Sequence, residues 1–304
     1  MSVRSISLHA LKDVIEEIYA SKSKFDRKCS ESQLPRETVE QHLYTYLNQK
    51  YGLKPLILEW AQAVIAGVRR YSSEDNDVAV FGKIMHHEID EEFRFVQRQL
   101  KETVQELLRV YLRGKYQTKS EEEILGILHK KMNMSVQEAE WVDIVKYMYN
   151  AADAVSIIVK VREVIKSVSA ERPKPQARSR EEPTQDQTAI PYHHFVKVLL
   201  DFQLSGHEKF LQKFVQSFRR VDSDRNGVVS EHQFRCLLRL IDSGKSDAKI
   251  NQLLDLIDPH NNQMITFSEV SFGEKEPFPR SVYVIYCSKR EMQKNASPSC
   301  HRNW

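Results

Sequence analysis

The stretch that most constrains this chain is Asp222-Ser223-Asp224-Arg225-Asn226-Gly227-Val228-Val229-Ser230-Glu231-His232-Gln233. Oxygen-bearing side chains stand at its first, third and fifth positions: Asp222, Asp224 and Asn226. Alternate residues of a tight loop turn inward together, which suits a hard cation that collects several oxygens in a compact cage. The sixth position is Gly227, the residue that takes a left-handed turn at least cost. Val228 then offers a backbone carbonyl, and apolar Val229 is placed to form a short β-bridge with a partner loop. Ser230 adds a hydroxyl at position nine. The twelfth position is Gln233, one neutral oxygen in place of a bidentate carboxylate, so weakened calcium binding is expected.

The flanks are helical. Phe210, Phe214, Phe218 and Val221 lie on one stripe before the loop, and Phe234, Leu237, Leu238 and Ile241 on another after it. This segment resembles an EF-hand, the helix–loop–helix unit of the calmodulin superfamily. The resemblance implies calcium coordination by Asp222, Asp224, Asn226, the Val228 carbonyl, Ser230 and Gln233. A second loop, Asp258 to Glu269, begins 36 residues later, a spacing that suits a pair. Its donors are Asp258, Asn262, the Met264 carbonyl, Thr266 and Glu269, with Ile265 placed to pair with Val229. His260 stands where an oxygen donor belongs, and Gln263 replaces the glycine, so this site is expected to be the weaker.

The rest of the chain reads as an all-α protein: an N-terminal helical bundle or helix array, a linker and the C-terminal pair. Nine glycines in 304 residues argue against a β-rich or dinucleotide-binding chain, and 41% hydrophobic residues can support a core. The net charge of +3 is matched by the surplus of residues 274–304, which carry six basic and three acidic side chains. The remainder is balanced, which does not suggest nucleic-acid binding.

Apolar stripes predict helices over 5–28, from Pro35 to a stop near Gly52, from Pro55 to Val68, and from Val78 to about Arg113 with Gly82 as a soft spot. Further helices are expected after Ser120, from Ser135, and from Ala152 to Ser167. Residues 1–168 are taken as one helical domain and 169–189, rich in Pro, Arg and Glu, as a flexible linker. The EF pair occupies 190–272. Ile190-Pro191-Tyr192 repeats the rhythm of Ile265-Thr266-Phe267, which suggests a vestigial hand with its loop starting at Pro183 and an outgoing helix, Phe195–Phe202, packed on the true pair. Residues 273–304 form an irregular tail that breaks the second hand with Pro277 and Pro279, as an alternative C-terminus would.

No apolar run spans a membrane, and no signal region opens the chain. His86-His87-Glu88 with Asp90 and Glu91 lacks the spacing of a zinc enzyme and reads as a solvated helix face. With no phosphate loop or nucleophile elbow, the chain is expected to be no enzyme. The expected function is an intracellular, cytoplasmic calcium adaptor or sensor that docks on a protein partner. The alternative is a calcium-free structural EF-hand protein of a cytoskeletal or ciliary assembly.

Overall fold

The computed structural model describes residues 5–171 and 188–273. Most of the linker and the tail from 274 therefore lie outside the described residues. In order, the elements are α1 (Leu8–Ser32), α2 (Val39–Tyr51), α3 (Lys54–Tyr71), α4 (Asn76–Met85), α5 (Phe93–Lys115), α6 (Glu121–Asn133), β1 (Ser135–Val136), α7 (Glu138–Met148) and α8 (Ala151–Glu171). They continue with β2 (Ile190–Pro191), α9 (Tyr192–Val221), β3 (Val228–Val229), α10 (Glu231–Ile241), α11 (Asp247–Ile257), β4 (Ile265–Thr266) and α12 (Phe267–Gly273). The fold is all-α, with two antiparallel ladders of two residues each among the described residues.

Packing sorts these residues into two units, 5–94 with 207–273 and 95–171 with 188–206, so α5 and α9 each run through both. In the first unit the helices start and stop where local chemistry says they should. Ser7 accepts from the Ala10 amide at the head of α1, and Thr38 and Gln41 close a capping box on α2. Pro55 stands in the first turn of α3, and Asp75 accepts from the amides of Asp77 and Val78 at the head of α4. Leu11, Ile15, Ile18, Leu43, Leu47, Val64 and Phe81 fill the core between these helices. Gly82 lets α4 approach closely, because a Cβ there would meet a Val68 methyl at 2.7 Å.

Two expectations change, and two details are added. The helix expected from Val78 to Arg113 is broken into α4 and α5 by residues 86–92, where His87 is left-handed at φ 54°. Ser135 opens the strand β1 rather than a helix, and Gln137 with Glu140 forms the capping box that starts α7. Ile190, which the sequence placed in a vestigial hand, pairs with Val136. After Glu269 the chain remains helical through Gly273, so α12 is short but present.

The C-terminal loops are joined by β3 and β4, with Val228 opposite Thr266 and Val229 opposite Ile265, as their apolar eighth positions predict. Phe218, Val229, Phe234, Leu237, Leu238, Ile250, Leu254, Ile265, Phe267 and Val270 make one buried cluster behind this ladder.

Candidate metal loops and the segment that grips them

The first loop folds around Asp222. Its carboxylate is almost fully buried and accepts from the backbone N–H groups of Asn226 (3.3 Å) and Gly227 (3.0 Å). Asn226 Oδ1 accepts from the Val228 amide at 2.8 Å. Gly227 has φ 72°, which provides the turn. Asp224 is exposed and accepts from the neighbouring Ser223 hydroxyl at 3.2 Å. Ser230 caps α10 by accepting from the Gln233 amide. At position twelve the Gln233 side chain has two partners of its own: Oε1 accepts from the Ser230 amide at 2.9 Å, and Nε2 donates to the Val221 carbonyl at 2.8 Å.

The second loop repeats the plan. Asp258 accepts from the Asn262 and Gln263 amides, both at 2.8 Å. Glu269 Oε2 accepts from the Thr266 amide at 2.9 Å and the Thr266 hydroxyl at 2.8 Å. Met264 is exposed, as is His260. Gln263 sits at φ 58°, so its Cβ is held in the left-handed region that glycine would occupy freely. Replacing Gln263 by glycine is expected to stabilise the protein by about 1 kcal/mol, the left-handed penalty net of the added chain entropy. A rise in the urea midpoint with unchanged slope would check it, and a fall would show that the Gln263 side chain contributes more than its strain costs.

The backbone of the first loop suits a cation: the turn, the alternating donors and the ladder are all in place. The donor set is lean. At its ligating positions each loop brings two carboxylates, Asp222 with Asp224 and Asp258 with Glu269, and relies on neutral oxygens for the rest. Among the described residues no three His, Cys, Asp or Glu side chains converge as a metal site.

What the sequence did not foretell is the grip of residues 83–94 on this pair, all within the first unit. The His87 ring lies against the face of Gly227, where a Cβ would fall inside contact distance of three ring atoms. The same ring sits 6.2 Å from the Phe267 ring, centroid to centroid. His207 Nε2 and Asp90 Oδ2 meet at 2.9 Å, both side chains buried, with the Phe93 ring tilted against the imidazole at 4.9 Å between centroids. The Glu91 amide donates to Ser268 Oγ at 3.1 Å, and Arg219 faces Glu88 at 3.7 Å.

Behind Glu91 lies a buried charge cluster. The Lys22 ammonium, with its side chain 3% exposed, contacts Asp26 at 2.7 Å and Glu91 at 3.4 Å, and Arg36 contacts Asp26 at 2.8 Å. Burial pushes the Glu91 carboxyl above its ordinary range, against the pull of Lys22 and Arg36. Burial also opposes the charge on Arg36, but the Asp26 hydrogen bond and the fields of Asp26, Glu91 and Glu269 outweigh it. Arg36 and Met264 both line a cleft of 920 Å³ with Phe25, Leu34 and Tyr44.

Residues 211–271 match the family model described as an EF-hand domain pair. No curated protein and no solved structure matched the chain. The C-terminal region is thus an EF-hand pair, a type of domain that generally binds calcium, and the N-terminal helices are without a recognised family. Among the described residues no helix is long and apolar enough to cross a membrane.

Proposed function

We propose that this chain is a non-enzymatic, intracellular calcium-binding adaptor that docks on a protein partner through its helical surfaces. The observation that supports it most is the first loop, whose backbone is already arranged around Asp222. Asp222, Asp224, Asn226, the Val228 carbonyl, Ser230 and Gln233 would hold the ion there. Asp258, Asn262, the Met264 carbonyl, Thr266 and Glu269 would be the weaker set, because Glu269 already lies in the field of Arg36. Bound calcium supplies the positive charge that lets loop carboxylates sit close together. The chain's own residues supply the relay: Gly227 bears on His87, and Ser268 on Glu91, so a shift in either loop is felt by the N-terminal helices. Exposed Leu34, Tyr44 and Met264 around the cleft support docking of a protein partner.

A second reading rests on Gln233. Its amide already satisfies the Ser230 N–H and the Val221 carbonyl, which favours a structural hand that needs no ion, as in a cytoskeletal or ciliary assembly.

Calorimetric calcium titration of the full chain in millimolar magnesium separates the two. Asp224→Ala is the sharper variant, since Asp224 takes no part in the loop's backbone bonds. Calcium is expected to bind at about 10–100 μM, with a tenfold or greater loss in the variant. Heat that survives the variant would move the site to Asp258–Glu269. An absence of heat in the wild type would leave the structural reading.

A further inference from the structure

The second unit carries a ladder that repeats the C-terminal one bond for bond. In the C-terminal pair, Val228 faces Thr266, Val229 faces Ile265, and the Phe267 amide donates to the Gly227 carbonyl at 2.8 Å. In the second unit, Ser135 faces Pro191, Val136 faces Ile190, and the Tyr192 amide donates to the Met134 carbonyl at 3.2 Å. The register is the same in each, and a helix follows each strand within two residues: α7, α9, α10 and α12.

The side chains obey the same frame. The inner ladder residues Val136, Ile190, Val229 and Ile265 are all buried, and so are the residues five places on: Trp141, Phe195, Phe234 and Val270. Eight and nine places on, Ile144 and Val145 match Val198 and Leu199, and Leu237 and Leu238, again all buried. In this frame Gln137 and Glu140 stand at positions nine and twelve. They form the capping box that Ser230 and Gln233 form in the first C-terminal loop.

Both incoming helices differ, α8 by ending at Glu171, 19 residues before Ile190, and α6 in the opposite sense. In the C-terminal hands the incoming helix stops eight residues before the inner ladder residue, at Val221 and Ile257. Here α6 runs on to Asn133, three residues before Val136, so the positions that would ligate a cation are helical. Loop position three is Lys131. Its ammonium lies 2.8 Å from both oxygens of the fully buried Glu140, whose carboxylate also accepts from the Gln137 amide at 2.9 Å.

We propose that α6–α7 and α8–α9 form a second EF-hand-like pair, in which the Lys131 ammonium occupies the place a metal ion holds opposite the twelfth-position carboxylate. The pair is thereby wired for metal-free folding. A buried carboxylate needs a cation, and here the cation is covalently part of the incoming helix. Any calcium response is confined to the first unit, and the second unit presents the same surface with or without the ion.

The test is amide hydrogen exchange over residues 135–148 of the full chain in chelator, which is independent of calcium at the C-terminal loops. Lys131→Met is expected to speed exchange there about tenfold or more, while Lys131→Arg keeps the protection. Adding Glu140→Gln to Lys131→Met is expected to make matters no worse, since the two groups act as one pair. Unchanged exchange in Lys131→Met, or additive effects in the double variant, would overturn the pairing. Lys131→Asp places a second carboxylate opposite Glu140, and roughly 10 mM calcium is expected to restore its protection. A variant that stays unprotected in calcium would overturn the ion's place and leave an ordinary buried ion pair.

Discussion

Gly227→Ala is expected to lower the stability of the first unit by about 3 kcal/mol, the sum of a left-handed penalty of roughly 1–2 and an overpacking cost of roughly 1–3. Gly227 has φ 72°, and its open face is covered by the His87 ring. A methyl group there must displace the imidazole, which is also held near Phe267. The cost therefore has two separable parts. His87→Ala alone loses ring packing but leaves the turn intact. In the double variant the clash is gone, and the backbone strain of alanine adds only to the lost ring packing. Urea unfolding should thus give a double variant more stable than the sum of the singles predicts, by about 1 kcal/mol or more. Strict additivity would show that the His87 ring bears no weight on the loop, and the link between the first loop and the N-terminal helices would have to be sought elsewhere.

The loop itself was legible because its information is local. Alternating oxygens, one glycine and an apolar eighth position all fall within twelve residues, and the structure builds the turn and the β3–β4 ladder from them. The stripe from Val78 to Arg113 was misread for the opposite reason. Its apolar rhythm continues through Ile89 and Phe93, and the break comes from His87 turning left-handed to reach another part of the chain. Ser135 with Glu138 mimics a helix start, while the true box is shifted two residues, to Gln137 and Glu140, by the ladder to Ile190. The echo of a hand at Ile190 was visible in the sequence. Its partner strand was not, because Val136 lies 54 residues away with no periodic signal to mark it. Lys22, Asp26, Arg36 and Glu91 read as ordinary surface charges in their own helices and segments, and only packing brings them together.

That cluster carries the other large effect. Lys22→Met is expected to destabilise the first unit by about 3 kcal/mol at neutral pH, the lower end for removing one partner of a buried ion pair. Methionine fills much of the same volume, so the loss measures charge rather than a cavity. Asp26 keeps Arg36 at 2.8 Å, so Glu91 is the group left exposed to the change. Its folded-state carboxyl already titrates above the unfolded value through burial, with Lys22 holding it down. A carboxyl raised on folding favours the folded state when protonated, so its contribution to stability is fully present below the unfolded pKa and is lost as pH rises through the folded one. Removing Lys22 raises the folded value further and deepens that loss at pH 7. The penalty of the variant should therefore shrink as pH falls from 7 toward 5, because Glu91 takes up a proton in place of its lost partner. Urea midpoints of both proteins across that range would decide it. A penalty that stays constant with pH would mean that Lys22 acts through Asp26 alone. In that case the 86–92 segment would hold its place against Ser268 without help from charge.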